Sequence, residues 1–181
     1  MNMSKRPAVF LDRDGTLIEE VNFLSRVEDL RLFPFTKEAV RSLKEKGFLL
    51  IVVTNQSGIA RGKYAESDMH TIHQTIQEEL SGAIDAFYFC PHMPNAACEC
   101  RKPGLGMINS ALANFEIDMD RSWMIGDKKL DVETGKNAKL RTALVLTGYG
   151  TRHKASLSSK PDIVSDDLAA AVASIIAASE V

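Results

Sequence analysis

Short apolar runs alternate along this chain with longer stretches in which apolar residues recur at helical spacing. Val9, Phe10 and Leu11 run into Asp12 and stop at a Gly-Thr turn, the pattern of a buried strand closed by a turn signal. Residues 19–34 are polar and mixed, with no sustained period, and are expected to form a long loop or a short excursion. Residues 37–46 place Ala39, Val40 and Leu43 at helical spacing, with Gly47 as the stop. Further strands are predicted over 48–53, 86–89, 123–125 and 142–146. Further helices are predicted over 66–80, 107–115, 131–137 and 167–178. On 107–115 the inner side falls to Leu112 and Phe115, and Asp166 or Asp167 caps the last helix. Strands alternating with helices imply an α/β fold with a parallel sheet covered on both faces. No repeat or low-complexity linker divides the chain, so residues 1–181 read as one domain.

Composition changes this picture little. At 45% hydrophobic and 25% charged residues the chain is an ordinary globular one. A net charge of -2 offers no basic excess, so nucleic acid is not an expected partner. Residues 1–7 are polar and carry no apolar h-region, so no signal peptide is expected. No run reaches the roughly 18 apolar residues of a spanning helix. The expectation is a cytoplasmic protein with no membrane partner. No exposed apolar stripe stands out, which favours a monomer.

Candidate chemistry gathers at the strand ends. Asp12 and Asp14 stand one residue apart at the end of the first strand. Alternation puts both carboxylates on one side of an extended segment, and a hard cation such as Mg²⁺ would relieve their repulsion. Thr54-Asn55-Gln56-Ser57-Gly58 ends the second strand, and Arg101-Lys102-Pro103 follows the third. Gly126-Asp127-Lys128, with Asp131 beyond, follows the fourth. In a parallel sheet these carboxyl ends share one edge, where ligands bind. A nucleophile, a metal and donors for phosphate oxygens are the parts of a phosphoryl-transfer site. Taken singly, Thr54-Asn55 or Arg101-Lys102 is an ordinary turn or a solvated charge. The case rests on their occurring together.

All three cysteines lie within residues 90–100, with His92 between them. Cys90 and His92 are two apart, as are Cys98 and Cys100, so each arm of a short loop offers two ligands for a tetrahedral Cys₃His site. Such a set suits Zn²⁺. Four protein ligands leave no open position, so the zinc reads as structural, stiffening the loop that delivers Arg101 and Lys102. An odd cysteine count argues against a disulfide, and unliganded buried thiols are the remaining reading. His70, His73 and His153 lack such partners and are expected at the surface.

Asp-x-Asp-Gly-Thr, a strand ending in Thr54-Asn55, a later Lys102 and then Gly-Asp-x-x-x-Asp resemble the haloacid dehalogenase-like (HAD) phosphohydrolases in order and spacing across residues 9–131. The resemblance implies a Rossmann-like three-layer α/β sandwich, here without a large cap. It implies Asp12 as the nucleophile that forms an aspartyl-phosphate, and Asp14 as the acid that protonates the leaving group and then activates water. Thr54 would hold a phosphoryl oxygen, and Lys102, with Arg101, would offset charge on the nucleophile and phosphate. Asp12, Asp127 and the backbone carbonyl of Asp14 would ligate Mg²⁺, with Asp131 supporting the site from outside.

Within that family the Cys-x-His…Cys-x-Cys-Arg-Lys-Pro loop is similar to two related groups, the D-glycero-D-manno-heptose 1,7-bisphosphate 7-phosphatases and the histidinol-phosphate phosphatases. Residues 52–63, Val21-Asn22-Phe23 and Lys128 resemble the heptose group. The five-residue spacer between His92 and Cys98 resembles the histidinol group. The heptose resemblance implies that Glu20, Val21, Asn22, Phe23, Asn55, Gln56, Ser57, Arg61, Lys63 and Lys128 contact a small phosphorylated sugar. It also implies loss of the C7 phosphate, retention of the anomeric one, and a place in making activated heptose for lipopolysaccharide. A reading from another class is an inactive, zinc-stabilised binding module on the same scaffold, since fold does not fix function. The intact set of Asp12, Asp14, Lys102 and Asp127 argues against it.

Overall fold

The computed structural model describes residues 5–179, so the first four residues of the polar N-terminal segment lie outside the described part. The strands are β1 (Ala8–Leu11), β2 (Leu49–Asn55), β3 (Ala86–Cys90), β4 (Trp123–Gly126), β5 (Arg141–Val145) and β6 (Ile163–Ser165). The α-helices are α1 (Thr36–Glu45), α2 (Glu66–Glu79), α3 (Gly106–Asn114), α4 (Lys129–Asn137), α5 (Gly150–Lys154) and α6 (Leu168–Ser179). All strand pairings are parallel, in the order β3-β2-β1-β4-β5-β6.

Successive strand residues feed opposite layers. Val9, Leu11, Leu50, Val52 and Ile125 pack with residues of α1, α2 and α6. Phe10, Ile51, Val53 and Met124 pack with Met107, Ile108 and Ala111 of α3. Both sheet faces are therefore apolar, which is why the strands read as continuous apolar runs. The chain builds outward from β1 through β2 to β3, then returns to the other side of β1 as β4. That reversal makes the carboxyl ends of β1 and β4 the switch point, where open α/β sheets bind ligands. Leu11 pairs with Ile125, so Asp12 and Asp127 leave the sheet side by side.

Several local expectations need correction. On α3 the inner positions are Met107, Ile108 and Ala111, whereas Leu112 is 39% exposed. Phe115 is half-buried against the same layer. The helix turns its small residue, Ala111, towards the sheet and carries the larger Leu112 past the contact. α4 starts two residues earlier than expected. α5 and β6 were not expected, because five-residue and three-residue elements show no period. Asp167 is the cap of α6, its Oδ1 accepting from the Ala170 N–H at 2.9 Å. Among the described residues no helix is long and apolar enough to cross a membrane.

Candidate active site

Asp12 follows the last residue of β1, and its backbone N–H still donates to Ile125 across the sheet. Its carboxylate is 3% exposed. Lys102 Nζ lies 3.0 Å from Oδ1 and Lys128 Nζ 3.7 Å from Oδ2. Burial alone would raise this carboxyl, but Lys102 and then Lys128 outweigh it and hold Asp12 below the ordinary carboxylate range. Lys102 is equally buried, reached at the end of the loop after β3. Its backbone N–H donates to Asn55 Oδ1, and its ammonium donates to the Val53 carbonyl and to Asp131 Oδ1. Burial would lower this ammonium, yet Asp12 and Asp131 keep it above its usual value.

Asp127 and Asp131 complete the cluster. One oxygen from each of Asp12, Asp127 and Asp131 falls within 4.8 Å of the others. Asp127 is fully buried, and its Oδ1 has no hydrogen-bond partner among the described residues. Burial first, then the Asp12 charge, raises its carboxyl to about 8. Its Oδ2 accepts from the Tyr149 N–H at 2.8 Å. The turns on either side are glycine because a Cβ on Gly15 or Gly148 would stand 2.3 Å from that oxygen, and both adopt positive φ. Asp12, Asp127, Asp131 and Glu20 set four carboxylates against the ammonium groups of Lys102 and Lys128. With all four ionised the excess is two negative charges, beside a buried Asp127 oxygen that accepts no hydrogen bond among the described residues, a setting that suits one hard divalent cation.

Asp14 is placed by a turn, not by the pleat. The strand ends at Leu11 and Gly15 adopts φ 82°, so the expected alternation of 12 and 14 on one strand does not apply. The Asp14 side chain is held by Arg13 and Gln56. It borders a cleft of about 120 Å³ that Glu20, Val21, Asn22 and Phe23 line from one side. Asn55, Gln56, Ser57 and Lys128 line it from the other. Glu20 pairs with Lys128 at 3.1 Å, and burial keeps its carboxyl above the usual range. Thr54 Oγ1 is buried and accepts from Gln56 Nε2.

Arg61, Lys63 and Arg101 belong neither to this cleft nor to the carboxylate cluster. Arg61 is exposed, its guanidinium 5.9 Å over the Phe23 ring at the cleft's edge. Lys63 is exposed, with its backbone N–H bonded to Gly58. Arg101 donates to the His92 carbonyl at 3.3 Å and so belongs to the cysteine loop. The surface position expected for His73 is wrong. It is 5% exposed, stacked on Phe87, because it shares the inner phase of α2 with Met69, Ile72 and Ile76. His70 is exposed as expected, and His153 is half-buried, accepting from the Lys129 N–H.

The cysteine loop brings its four candidate metal ligands together. Cys90 Sγ lies 3.6 Å from His92 Nδ1 and 3.7 Å from Cys98 Sγ, and His92 Nδ1 lies 3.2 Å from Cys100 Sγ. A tetrahedron of Zn–S bonds near 2.3 Å has edges of about 3.8 Å, so the spacing matches. No two of these sulfurs are bonded to each other, and all three cysteines are free. Burial pushes the Cys90 thiol up to about 12, the position of a group that needs a cation to ionise.

Residues 99–171 match the HAD-hydrolase-like family. The chain is 40% identical over 184 residues to the D-glycero-D-manno-heptose-1,7-bisphosphate 7-phosphatase of Thermosynechococcus vestitus, covering 92% of this chain and 94% of that one. It is 40% identical over 153 residues to the corresponding β-heptose enzyme of Escherichia coli K12, covering 78% and 80%. Its fold is similar to that of the D,D-heptose 1,7-bisphosphate phosphatase from B. bronchiseptica, crystallised with magnesium and phosphate. The TM-score is 0.87 and the identity 27%, over 95% of this chain and 99% of that one.

Proposed function

The chain belongs to the HAD-like hydrolases, among the D-glycero-D-manno-heptose-1,7-bisphosphate 7-phosphatases, and from that membership we propose that it removes the C7 phosphate of heptose 1,7-bisphosphate. The observation that carries the reading is the buried Asp12–Lys102 pair beside Asp127, joined through Lys128 to a polar cleft that Lys128 lines. In this reading Asp12 attacks phosphorus while Asp14 protonates the departing sugar oxygen. Asp14 then takes a proton from the water that releases phosphate from Asp12. Thr54 and Lys102 steady the phosphoryl oxygens. Asp12, Asp127 and the Asp14 carbonyl would hold Mg²⁺, which supplies charge neutralisation at the phosphate when bound. Cys90, His92, Cys98 and Cys100 would hold Zn²⁺ and fix the loop ahead of Lys102.

The test is phosphate release with Mg²⁺ from heptose 1,7-bisphosphate against histidinol phosphate. The expected result is a kcat/KM advantage of at least about 100-fold for the heptose. The five-residue spacer in the cysteine loop motivates the second substrate, and a preference for it would transfer the chain to that chemistry.

Two further outcomes follow from the site. Asp127 holds its proton up to about pH 8, so below that pH the cation must displace it. Mg²⁺ affinity, measured by calorimetry, should therefore rise by up to about tenfold per pH unit between 6 and 8 and level off above. A pH-independent affinity would remove Asp127 from the ligand set. In this reading Arg61, exposed over Phe23, serves the remote phosphate rather than the reacting one. Arg61→Ala should raise KM about 3- to 10-fold with kcat within about twofold. Equal losses in kcat would place Arg61 at the chemistry instead.

A further inference from the structure

The residue between the two aspartates is not used by the chemistry above, yet it is the largest fully buried side chain in the protein's described part. Arg13 is 1% exposed. A buried guanidinium is costly unless every donor is engaged. Here four of the five are engaged, on one neighbour above all. Arg13 Nε donates to Asp14 Oδ2 and Nη2 to Asp14 Oδ1, both at 3.0 Å, a two-pronged grip on the adjacent carboxylate. Nη2 also donates to Gln56 Oε1 at 3.1 Å. Nη1 faces His73 Nε2 at 3.3 Å. Arginine has no acceptor, so Nε2 must accept and the imidazole is neutral. Burial, then the Arg13 charge, pushes His73 down to about 3, consistent with that tautomer.

Gln56 closes the ring. Its Nε2 donates to Asp14 Oδ2 and to Thr54 Oγ1, both at 2.9 Å, and its Oε1 also accepts from the Tyr64 hydroxyl. Asp14 Oδ2 thus accepts from both Arg13 and Gln56, whereas Oδ1 accepts from Arg13 alone. Oδ1 keeps a lone pair for the cleft that Asp14 borders.

We propose that Arg13, braced by His73 and Gln56, is a positioning residue that locks the Asp14 carboxyl in one rotamer, with Oδ1 as the atom that carries the transferred proton. The inference rests on the assignment of Asp14 as acid and base. In the first step the Asp12–phosphorus bond forms and the sugar O–P bond breaks, and the Oδ1 proton passes to the sugar oxygen. In the second a water oxygen bonds to phosphorus, the Asp12–phosphorus bond breaks and Oδ1 takes the water's proton. A misaimed Asp14 impairs the first step only when the leaving oxygen needs a proton. A nitrophenolate leaves without one.

The experiment compares Arg13→Met, His73→Leu and Asp14→Asn on heptose 1,7-bisphosphate and on p-nitrophenyl phosphate, with melting curves for each. Arg13→Met is expected to lose about 100-fold or more on the sugar phosphate. On the aryl phosphate it should give a burst of about one nitrophenol per chain, followed by slow turnover, as Asp14→Asn should. The Arg13→Met/Asp14→Asn double variant should be no slower than Asp14→Asn alone. His73→Leu, which leaves the ion pair intact, should show the same substrate bias more weakly, and it carries the test should Arg13→Met fail to fold. Proportional losses on both substrates, or losses that multiply in the double variant, would overturn the proposal. Full activity of Asp14→Asn on the sugar phosphate would instead overturn the acid assignment beneath it.

Discussion

Asp12→Asn is expected to lower phosphate release at least about 10⁴-fold while leaving the chain folded. The activity loss follows from charge. Burial opposes ionisation of Asp12, but Lys102 at 3.0 Å and Lys128 at 3.7 Å prevail, so the carboxylate is anionic at neutral pH, as the proposed attack on phosphorus requires. An amide of the same shape cannot form the acyl phosphate. Stability should survive because the substitution removes one member of a crowded carboxylate set. Lys102 keeps its 2.6 Å contact with Asp131, and the raised carboxyls of Asp127 and Asp131 both lose the repulsion of Asp12. Steady-state phosphate release, acid-quench trapping of the phosphoenzyme and a melting curve check the three parts. Phosphoenzyme still trapped on the variant would move the nucleophile elsewhere.

What the sequence could reveal depended on whether a signal was local. The strands buried on both faces read as apolar runs, and the reactive residues stand where those runs stop, so Asp12, Thr54 and Asp127 were visible. The cluster of Cys90, His92, Cys98 and Cys100 was visible because a short loop spaces them by two. Arg13 was not, since its partners Gln56 and His73 are 43 and 60 residues away. His73 did leave a trace: with Met69, Ile72 and Ile76 it completes the inner stripe of α2. Reading it as a polar residue first hid that phase. Tyr149, which donates to Asp127, sits in a loop with no period, and only the Gly-Tyr-Gly run marked it. Strand alternation is no ground for placing Asp14, because β1 ends at Leu11 and Asp14 lies in a turn beside Gly15.

Removal of zinc is expected to cost both stability and turnover. Cys98→Ser, or exhaustive chelation, should abolish a content of about one zinc per chain and lower Tm by about 5–10 °C. The fall should stay partial because the two apolar layers on the sheet do not depend on the loop. Turnover should fall further, by about 10²-fold, because the loop leads directly into Lys102, whose ammonium must sit between Asp12 and Asp131. The Lys102 backbone is tied to Asn55, and the loop to the Gln56 N–H through the Cys90 carbonyl, so loosening it disturbs both strand ends at once. KM should move less than kcat, since the cleft-lining residues 20–23 lie on another segment. Uptake should also depend on pH. The buried Cys90 thiol, raised to about 12, must lose its proton to bind metal, so zinc affinity falls as the pH drops. Metal analysis, melting curves and kinetics on the same chelated sample read all three quantities. A zinc-free protein with unchanged Tm and kcat would reduce the four ligands to free thiols and a surface histidine.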